Sequence, residues 1–231
     1  MVGVEAAFIL AAGRGERLRP LTDFHPKPLI KIKTKPILEY VLDNLRPLGL
    51  KRVVLNAWHF ADQIEAFADE ARSKFPFEIL VSTESELLGT GGGLKKALPL
   101  VGKAPFLMMN GDCIWKGDLQ LWMKKIPSNI EASWVLIEPQ AEQTLIGFDG
   151  GELCQIGELW KSREPSHRGC FSGIQLISRI FDESLPAKGC IIRDYWIPRL
   201  QKSAKLGVEM DLLSAWEDLG TPERLRVFEG S

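Results

Sequence analysis

The first half of the chain alternates short apolar segments with stretches of helical periodicity, and this alternation constrains the fold more than any other feature. Residues 6–11 form a continuous apolar run that stops at glycines, which is typical of a strand buried on both faces of a parallel sheet. Residues 36–45 then place apolar side chains at helical spacing, after a proline and before Gly49. The same alternation predicts strands at 52–56, 77–82 and 105–109 and helices at 59–73 and 91–98.

Strands that alternate with helices over short loops imply parallel strands joined by right-handed crossovers. We therefore predict an α/β fold with a doubly wound, mainly parallel sheet flanked by helices. Ligands of such sheets bind at the carboxyl ends of the strands. The loops after Ala11, Asn56, Ser82 and Met109 are therefore where we expect a site.

The second half of the chain is less regular. Predicted strands at 132–137, 144–148, 152–156 and 170–177 are separated by turns such as 149–151, which indicates antiparallel additions to the sheet. Residues 193–202 and 222–228 are predicted helices. Because no repeat or linker composition interrupts the chain, we predict one domain over residues 1–231, with a regular half (1–130) and an accessory half (131–231).

Composition excludes several classes of protein. The 231 residues carry a net charge of −1, with 26% charged and 45% hydrophobic residues, which is typical of globular proteins and argues against a nucleic-acid partner. The four cysteines form no C-x-x-C pair and are expected to be reduced. The apolar run at 6–12 is too short to span a membrane and lacks the flanks of a signal peptide, so we expect no membrane association and a cytoplasmic location.

The loop after the first strand has the composition of a phosphate-binding loop. Gly13 and Gly15 leave backbone N–H groups accessible, and Arg17 can add a bidentate guanidinium. A tight turn with solvated charges is the alternative. The loop has no Gly-Lys-Ser/Thr, so it is not a Walker loop, and it lacks the third glycine and the distal acidic residue of a dinucleotide fingerprint.

A second basic residue follows in a stiff segment. Prolines on both sides of Lys27 fix the backbone and aim the side chain, which suits a point charge held against a phosphate. The alternative is a solvent-exposed lysine in a proline-rich loop. Residues 14–35 carry a local excess of basic side chains although the whole chain is nearly neutral.

Two further patterns occur at predicted carboxyl ends of strands. Residues 89–93 are rich in glycine directly before a helix, where free N–H groups favour an anion, although a flexible loop has the same composition. Asp112 follows the strand at 105–109 and could hold Mg²⁺ between phosphate groups. An aspartate in an ordinary turn is the alternative, and Asp218 is a candidate second carboxylate.

These motifs together resemble the sugar-1-phosphate nucleotidyltransferases in identity, order and spacing. The matching segments are residues 10–22, 26–29, 88–92, 110–112 and 218–225. The resemblance implies a Rossmann-like core that joins a nucleoside triphosphate, UTP or GTP, to a sugar 1-phosphate. It also implies a nucleotide-binding half over 1–130 and a sugar-binding half over 131–231.

The resemblance assigns a role to individual residues. Arg17, Lys27 and Asp112 are the implied catalytic residues, and Asp112 and Asp218 the implied ligands of Mg²⁺. The implied nucleotide-binding residues are Leu10, Ala11, Ala12, Gly13, Arg14, Gly15, Arg17, Lys27, Glu84, Gly89, Thr90 and Gly91. The implied substrate-binding residues are Asn110, Gly147, Glu158 and Lys161. Many relatives have Glu-Lys-Pro where this chain has residues 158–161, so the basic residue at the sugar phosphate is Lys161, Arg163 or neither.

Three local sequences bear on the substrates. Residues 56–64, the glycines at 91–93 and residues 171–174 look most like the short N-acetylmuramate-1-phosphate uridylyltransferases. Gly89-Thr90 is instead frequent in the mannose- and heptose-1-phosphate guanylyltransferases. A catalytically inactive regulatory protein that binds nucleotide sugars is the alternative of another class, against which the retention of both carboxylates argues. We expect a monomer or a small homo-oligomer.

Overall fold

The computed structural model describes residues 3–103, 105–125, 127, 129–141 and 143–230. The strands in this part of the chain are β1 (Ala6–Leu10), β2 (Lys31–Ile32), β3 (Lys35–Pro36), β4 (Arg52–Ala57), β5 (Glu78–Thr83), β6 (Phe106–Asn110), β7 (Cys113–Gly117), β8 (Ala132–Ile137), β9 (Leu145–Asp149), β10 (Glu152–Ile156), β11 (Trp160–Lys161), β12 (His167–Ile177), β13 (Leu206–Glu209) and β14 (Leu213–Asp218). The α-helices are α1 (Ile37–Leu45), α2 (Ala61–Ala71), α3 (Gly89–Val101), α4 (Gln120–Lys125), α5 (Ile197–Leu200) and α6 (Pro222–Gly230). A π-helix, Ile191–Trp196, leads directly into α5. No helix in the described ranges is long and apolar enough to cross a bilayer.

One large sheet organises the molecule. Its strand order is β11-β10-β13-β8-β12-β6-β1-β4-β5, and β9 pairs with both β10 and β12. Strands β6, β1, β4 and β5 are mutually parallel, as the first half of the sequence predicts. Most pairings contributed by the second half are antiparallel, with β8 and β13 parallel. The α/β prediction is therefore confirmed, but the sheet as a whole is mixed and its parallel part is confined mainly to one side.

Helices cover both faces of the parallel part because side chains of a strand alternate between the two faces. Ala7 and Ile9 of β1 share one apolar cluster with side chains of α1 and α2, whereas Ala6 and Phe8 share another with side chains of α3 and α5. Phe8 and Ile9 are fully buried. Burial of one such side chain contributes about 1.5–3 kcal/mol. The continuous apolar run at 6–11 is thus explained by two covered faces.

The predictions for the second half are accurate for some elements and incomplete for others. Strands β8 and β10 have the predicted bounds. The predicted helix at 193–202 is instead a π-helix followed by the short α5. Pro198 has no N–H to donate, so a regular helix through this segment would lack one hydrogen bond. The pairing of β7 with β14 was not predicted, and this small sheet carries part of the candidate site.

Candidate functional site

The site begins where the parallel strands β1 and β6 end next to each other. Gly111, directly after β6, donates its backbone N–H to the carbonyl oxygen of Leu10 at 3.0 Å. A Cβ atom at position 111 would lie 2.7 Å from that oxygen, so glycine permits this approach. The turn that carries Asp112 is therefore held against the start of the loop that follows β1.

Two carboxylates converge at this edge of the sheet. The antiparallel pairing of β14 with β7 places Asp218 opposite Cys113, and the N–H of Leu219 donates to the carbonyl oxygen of Asp112 at 3.0 Å. One ligand atom from each of Asp112, Cys113 and Asp218 lies within 4.8 Å of the others. The pairing of two strands distant in sequence thus assembles a cluster of three ligand atoms.

The chemistry of this cluster favours a hard cation. Carboxylate oxygens are ligands that Mg²⁺ prefers, whereas a thiol is not. Burial raises the pKa of the Cys113 thiol well above its ordinary value, and the charges of Asp112 and Asp218 raise it further. The thiol is therefore protonated at neutral pH, and the two partly exposed carboxylates are the groups that fit a magnesium ion.

Basic side chains surround the carboxylates. The ammonium group of Lys27 contacts Oδ2 of Asp112 and lies 4.0 Å from Oδ1 of Asp218. Nη1 of Arg224 lies 2.7 Å from Oδ2 of Asp218. Only 9% of Lys27 is exposed, which excludes the alternative of a solvated lysine in a proline-rich loop.

Gly220 lies at the centre of these charged groups. A Cβ atom at this position would be 2.7 Å from Oδ1 of Asp218, 2.9 Å from Nη2 of Arg17 and 3.3 Å from Nζ of Lys27. The absence of a side chain at position 220 therefore lets two cations and a carboxylate meet. With Asp112 on the other side of Lys27, four of the charged residues singled out in the sequence are brought together.

An open cleft of about 470 Å³ gives access to this cluster. Its lining residues are Gly13, Arg14, Gly15, Glu16, Arg17, Lys27, Leu87, Asp112 and Gly220. Gly15 has a φ of +65°, and a Cβ there would lie 2.7 Å from Cγ2 of Thr22, so the loop requires glycine. A larger groove of about 920 Å³ lies beside α2 and α6. None of the residues that line the 470 Å³ cleft lines this larger groove. The smaller cleft, with its fixed cations, is suited to a polyphosphate.

A buried polar pair supports the loop after β1. Oδ1 of Asn56 accepts hydrogen bonds from the backbone N–H groups of Ala11 and Ala12 at 2.7 and 3.3 Å. Nδ2 of Asn56 donates to Oε1 of Glu84 at 2.7 Å, and Oε2 of Glu84 accepts from the N–H of Leu88 at 2.9 Å. Both oxygens of Glu84 are therefore used within the protein, which positions backbone around the cleft.

The glycine-rich segment at 89–93 packs closely against residues 186–191. The N–H of Gly91 donates to the carbonyl oxygen of Gly189 at 2.9 Å, and the hydroxyl of Thr90 accepts from the N–H of Ile191 at 2.8 Å. A Cβ at Gly92 would lie 2.5 Å from the carbonyl oxygen of Ala187. Close backbone packing is thus a reason for the glycines, and the Gly91 donor is used within the chain.

The predicted substrate-binding residues lie in two places. Asn110 ends β6 next to the carboxylates, and the backbone of Gly173 approaches its side chain. Gly147 lies in β9 opposite Gln155 of β10. The remaining residues belong to the hairpin of β10 and β11, where Glu158 is exposed in the turn and Lys161 pairs with Glu164.

Both basic residues considered for the sugar phosphate have acidic partners. In addition to the Lys161 pair, Arg163 lies 3.7 Å from a carboxylate oxygen of Asp149 and 3.6 Å from one of Glu152. Lys161 pairs with Gln155, which in turn pairs with Gly147, so these three residues form one row across the strands and face the same side of the sheet. The next residue of β10, Ile156, belongs to the neighbouring row and faces the opposite side. Neither basic residue is free in this arrangement.

Sequence reasoning assigned no separate role to three residues of the site. Asn56 is the penultimate residue of the buried strand β4, and a polar side chain near the carboxyl end of that strand was the available signal. Gly220 and Arg224 belong to a recognised motif at 218–225, but the contacts of Arg224 with Asp218 depend on how β14 leads into α6. The role of all three follows from tertiary structure.

Sequence comparisons relate this chain to known proteins. The nucleotidyl transferase family model matches residues 6–148. An N-acetylmuramate alpha-1-phosphate uridylyltransferase from Neisseria meningitidis serogroup B is 40% identical over 136 residues, which are 57% of this chain and 58% of the relative. A mannose-1-phosphate guanylyltransferase catalytic subunit beta from Drosophila pseudoobscura pseudoobscura is 29% identical over 224 residues, which are 94% of this chain and 59% of the relative. The matched region thus spans less than two thirds of the length of either curated relative.

A solved structure shares the fold over nearly the whole chain. The crystal structure of HddC from Yersinia pseudotuberculosis superimposes with a TM-score of 0.77 at 22% sequence identity. The match covers 98% of this chain and 99% of that protein. The mixed sheet with helices on both faces is therefore a fold that already occurs among solved proteins.

Proposed function

This chain is a member of the nucleotidyl transferase family, and we propose that it is an enzyme that joins a nucleoside triphosphate to a sugar 1-phosphate. The products would be a nucleoside diphosphate sugar and pyrophosphate. The observation that carries this proposal is the meeting of Arg17, Lys27 and Asp218 around Gly220, with Asp112 in contact with Lys27, at one open cleft.

The proposed reaction is an in-line displacement at phosphorus. A phosphate oxygen of the sugar 1-phosphate attacks the α-phosphorus, the bond to the bridging oxygen breaks, and the electron pair leaves with pyrophosphate. Such transfers depend on alignment and on cations that stabilise the developing charge. Arg17 and Lys27 supply those cations here, which explains why the reaction needs no histidine or serine triad.

Asp112 and Asp218 are the residues that would hold Mg²⁺. A bound magnesium ion supplies positive charge between phosphate groups and orients them. Lys27 contacts both carboxylates and Arg224 contacts Asp218, so the orientation of the two metal ligands is fixed by basic neighbours. A pure binding protein has no need for this pair, which argues against the inactive regulatory alternative.

We assign the nucleotide to the first half of the chain, residues 1–130. The backbone of residues 10–15 and the side chain of Arg14 would contact the triphosphate and the nucleoside, together with Gly89, Thr90 and Gly91. Glu84 would act by positioning backbone, because both its oxygens accept hydrogen bonds within the protein. Arg14 stacks on Trp58 at 5.1 Å from the ring centre, which holds its guanidinium beside the cleft.

We assign the sugar to the second half of the chain, residues 131–231, where Gly147, Glu158 and Lys161 lie. Asn110 would contact the substrate from the end of β6, between the two halves. Lys161 pairs with Glu164 and lies in the row of side chains opposite to that of Ile156, so it would have to leave Glu164 and reorient to act as proposed. The doubly wound, Rossmann-like description applies to the nucleotide-binding side of the sheet.

The favoured substrates are UTP and N-acetylmuramate 1-phosphate. Two relatives with this activity in their names are 40% identical over about half of the chain. The second candidate is GTP with mannose 1-phosphate or a heptose 1-phosphate. It is supported by Gly89-Thr90 and by a guanylyltransferase relative that aligns over 94% of the chain.

A pyrophosphate-release assay tests both levels of the proposal. UTP, GTP, CTP, dTTP and ATP are each combined with N-acetylmuramate, N-acetylglucosamine, mannose and glucose 1-phosphates and Mg²⁺. Turnover with any pair supports the activity, and the best pair identifies the substrates. If nucleoside triphosphates bind but no pair releases pyrophosphate, the inactive regulatory alternative is supported instead.

A further inference from the structure

A groove of about 330 Å³ lies between β9, β10, β12 and the π-helix. Thr144, Ile146, Ile156, Phe171, Ile192 and Arg193 are among its lining residues. The register of β12 with β6 pairs Ile174 with Met109, and the backbone of Gly173 approaches Asn110. The preceding residues of β12, which include Phe171, therefore extend past the end of β6. The groove thus lies beyond the carboxyl end of β6, which is the end of that strand that leads to Asp112.

The wall of the groove formed by the π-helix is fixed to the nucleotide side of the molecule. The N–H of Ile191 donates to the hydroxyl of Thr90 at 2.8 Å, and Gly91 donates to the carbonyl oxygen of Gly189 at 2.9 Å. The N–H of Cys190 donates to Oδ2 of Asp194 at 2.6 Å. π-helical turns are rare and frequently occur at functional sites. These contacts fix the backbone on both sides of Arg193, which lines the groove.

Arg193 is the charged side chain of this groove. The described residues that line the groove include no other charged side chain, and within the described part of the chain Arg193 has no ion pair. Lys161 and Arg163, by contrast, are paired with Glu164, Asp149 and Glu152. The groove walls are largely apolar, so an anion that enters is less well screened than in open water. Arg193 is therefore a cation available to a ligand.

We propose that Arg193 binds a carboxylate carried by the sugar and so selects anionic sugar 1-phosphates over neutral ones. A guanidinium presents two parallel N–H donors that match the two oxygens of a carboxylate. In the proposed function, Arg17 and Lys27 of the catalytic cleft bind the phosphates. Arg193 is therefore available to bind a negative group of the sugar other than the phosphate. The inference rests on the proposed function, because it assigns the sugar to this groove.

Two substrates that differ only in a lactyl group, which carries the carboxylate, test the proposal. N-acetylmuramate 1-phosphate carries a lactyl ether that N-acetylglucosamine 1-phosphate lacks. We would measure kcat/KM for both sugars with the wild-type chain, with Arg193→Ala and with Arg193→Glu. The nucleoside triphosphate that gives the highest turnover is kept at a saturating concentration. Arg179→Ala is the matched control, because Arg179 is also exposed but lines grooves that do not include the π-helix.

We expect the ratio of kcat/KM for the carboxylated sugar over the neutral sugar to fall roughly tenfold to a hundredfold in Arg193→Ala, as expected for a lost charge-assisted hydrogen bond. The loss should lie in KM, should be larger in Arg193→Glu and should be absent in Arg179→Ala. Calorimetric binding of N-acetylmuramate 1-phosphate to each variant gives a readout that does not depend on turnover.

Three results would overturn the proposal. An equal loss of kcat/KM for both sugars would mean that Arg193 acts on a group that they share, such as the phosphate. Unchanged kcat/KM for both sugars would mean that Arg193 does not contact the substrate. A wild-type chain that turns over only neutral sugar 1-phosphates would also overturn it while leaving the nucleotidyltransferase activity in place. Absence of pyrophosphate release with every pair would instead contradict the proposed function itself.

Discussion

Nδ2 of Asn56 lies 2.7 Å from Oε1 of Glu84, and both residues are almost completely buried. A Cβ at Gly93 would lie 2.8 Å from each of these two side-chain atoms, so the glycine of α3 makes room for the pair. Through Ala11 on one side and Leu88 on the other, the pair connects two segments that line the candidate nucleotide site. The backbone around the cleft therefore depends on one hydrogen-bonded pair of side chains.

Glu84→Gln should lower both stability and nucleotide binding. Glutamine has one acceptor oxygen in place of two, so the N–H of Leu88 or the amide of Asn56 loses its partner. Leaving such a buried group unpaired costs about 1–3 kcal/mol. Urea unfolding measures the stability, and the KM for the nucleoside triphosphate should rise by more than kcat falls.

Glu86→Gln is the control for this change, because Glu86 is exposed and pairs with Lys188 at the surface. Loss of an exposed ion pair changes stability by about 0–1 kcal/mol. If Glu84→Gln were no more destabilising than Glu86→Gln, the buried pair would not have the supporting role described here.

The sequence predicted the parallel part of the fold well, for a physical reason. Strands such as β1 and β6 are covered on both faces, so a continuous apolar run was enough to identify them. Strands β7 and β14 were not predicted. They are short, β14 is partly exposed, and their pairing joins segments that are about a hundred residues apart. Local periodicity contains no information on such a pairing.

The candidate site shows the same division between local and tertiary signals. Arg17, Lys27, Asp112 and Asp218 were named from their motifs, and the structure brings them together. Arg193 was not named from the sequence, because a lone arginine in a helical segment belongs to no recognisable motif. Its significance depends on a groove formed by β9, β10 and β12 and on the acidic partners that other basic residues have.

Asp112→Asn and Asp218→Asn should each abolish pyrophosphate release while the chain remains folded. An amide keeps the shape of the carboxylate but removes the negative charge that the proposed magnesium site requires. We expect kcat to fall at least about a hundredfold, in line with the loss of a group that stabilises transition-state charge. The measurement is the rate of pyrophosphate release over a range of Mg²⁺ concentrations.

Asp211→Asn is the matched control for the two carboxylate variants. Asp211 is exposed and has a φ of +65°, a conformation that asparagine also adopts readily. It should retain wild-type turnover. Unchanged turnover in both Asp112→Asn and Asp218→Asn would exclude these residues as metal ligands.

Gly92→Ala should destabilise the protein. The new methyl group would lie 2.5 Å from the carbonyl oxygen of Ala187 and 3.0 Å from Cα of Lys188, and backbone atoms cannot move as freely as the end of a side chain. Overpacking of this kind costs about 1–3 kcal/mol. Gly3→Ala is the control, because nothing lies within 4 Å of a Cβ at that position. Equal melting temperatures for the two variants would contradict the packing role of the glycine-rich segment.

Gly220→Ala should have the opposite profile, with a large loss of activity and a small change in stability. The atoms that a Cβ at position 220 would meet belong to the charged ends of Asp218, Arg17 and Lys27, at 2.7, 2.9 and 3.3 Å. These flexible ends can move away at little cost to folding, but any movement displaces the groups proposed to hold the metal and the phosphates. Misplacement by about 1 Å can reduce turnover roughly a hundredfold.

We therefore expect kcat of Gly220→Ala to fall about tenfold to a hundredfold. We expect Tm to change by no more than about 2–4 °C, which corresponds to roughly 1 kcal/mol for a chain of this size. Gly230→Ala is the control, because a Cβ there has nothing within 4 Å. Pyrophosphate release and thermal unfolding of the same preparations separate the two effects. A variant that melts far below the wild type, or one that keeps full activity, would show that the charged groups do not depend on the bare backbone of Gly220 for their arrangement.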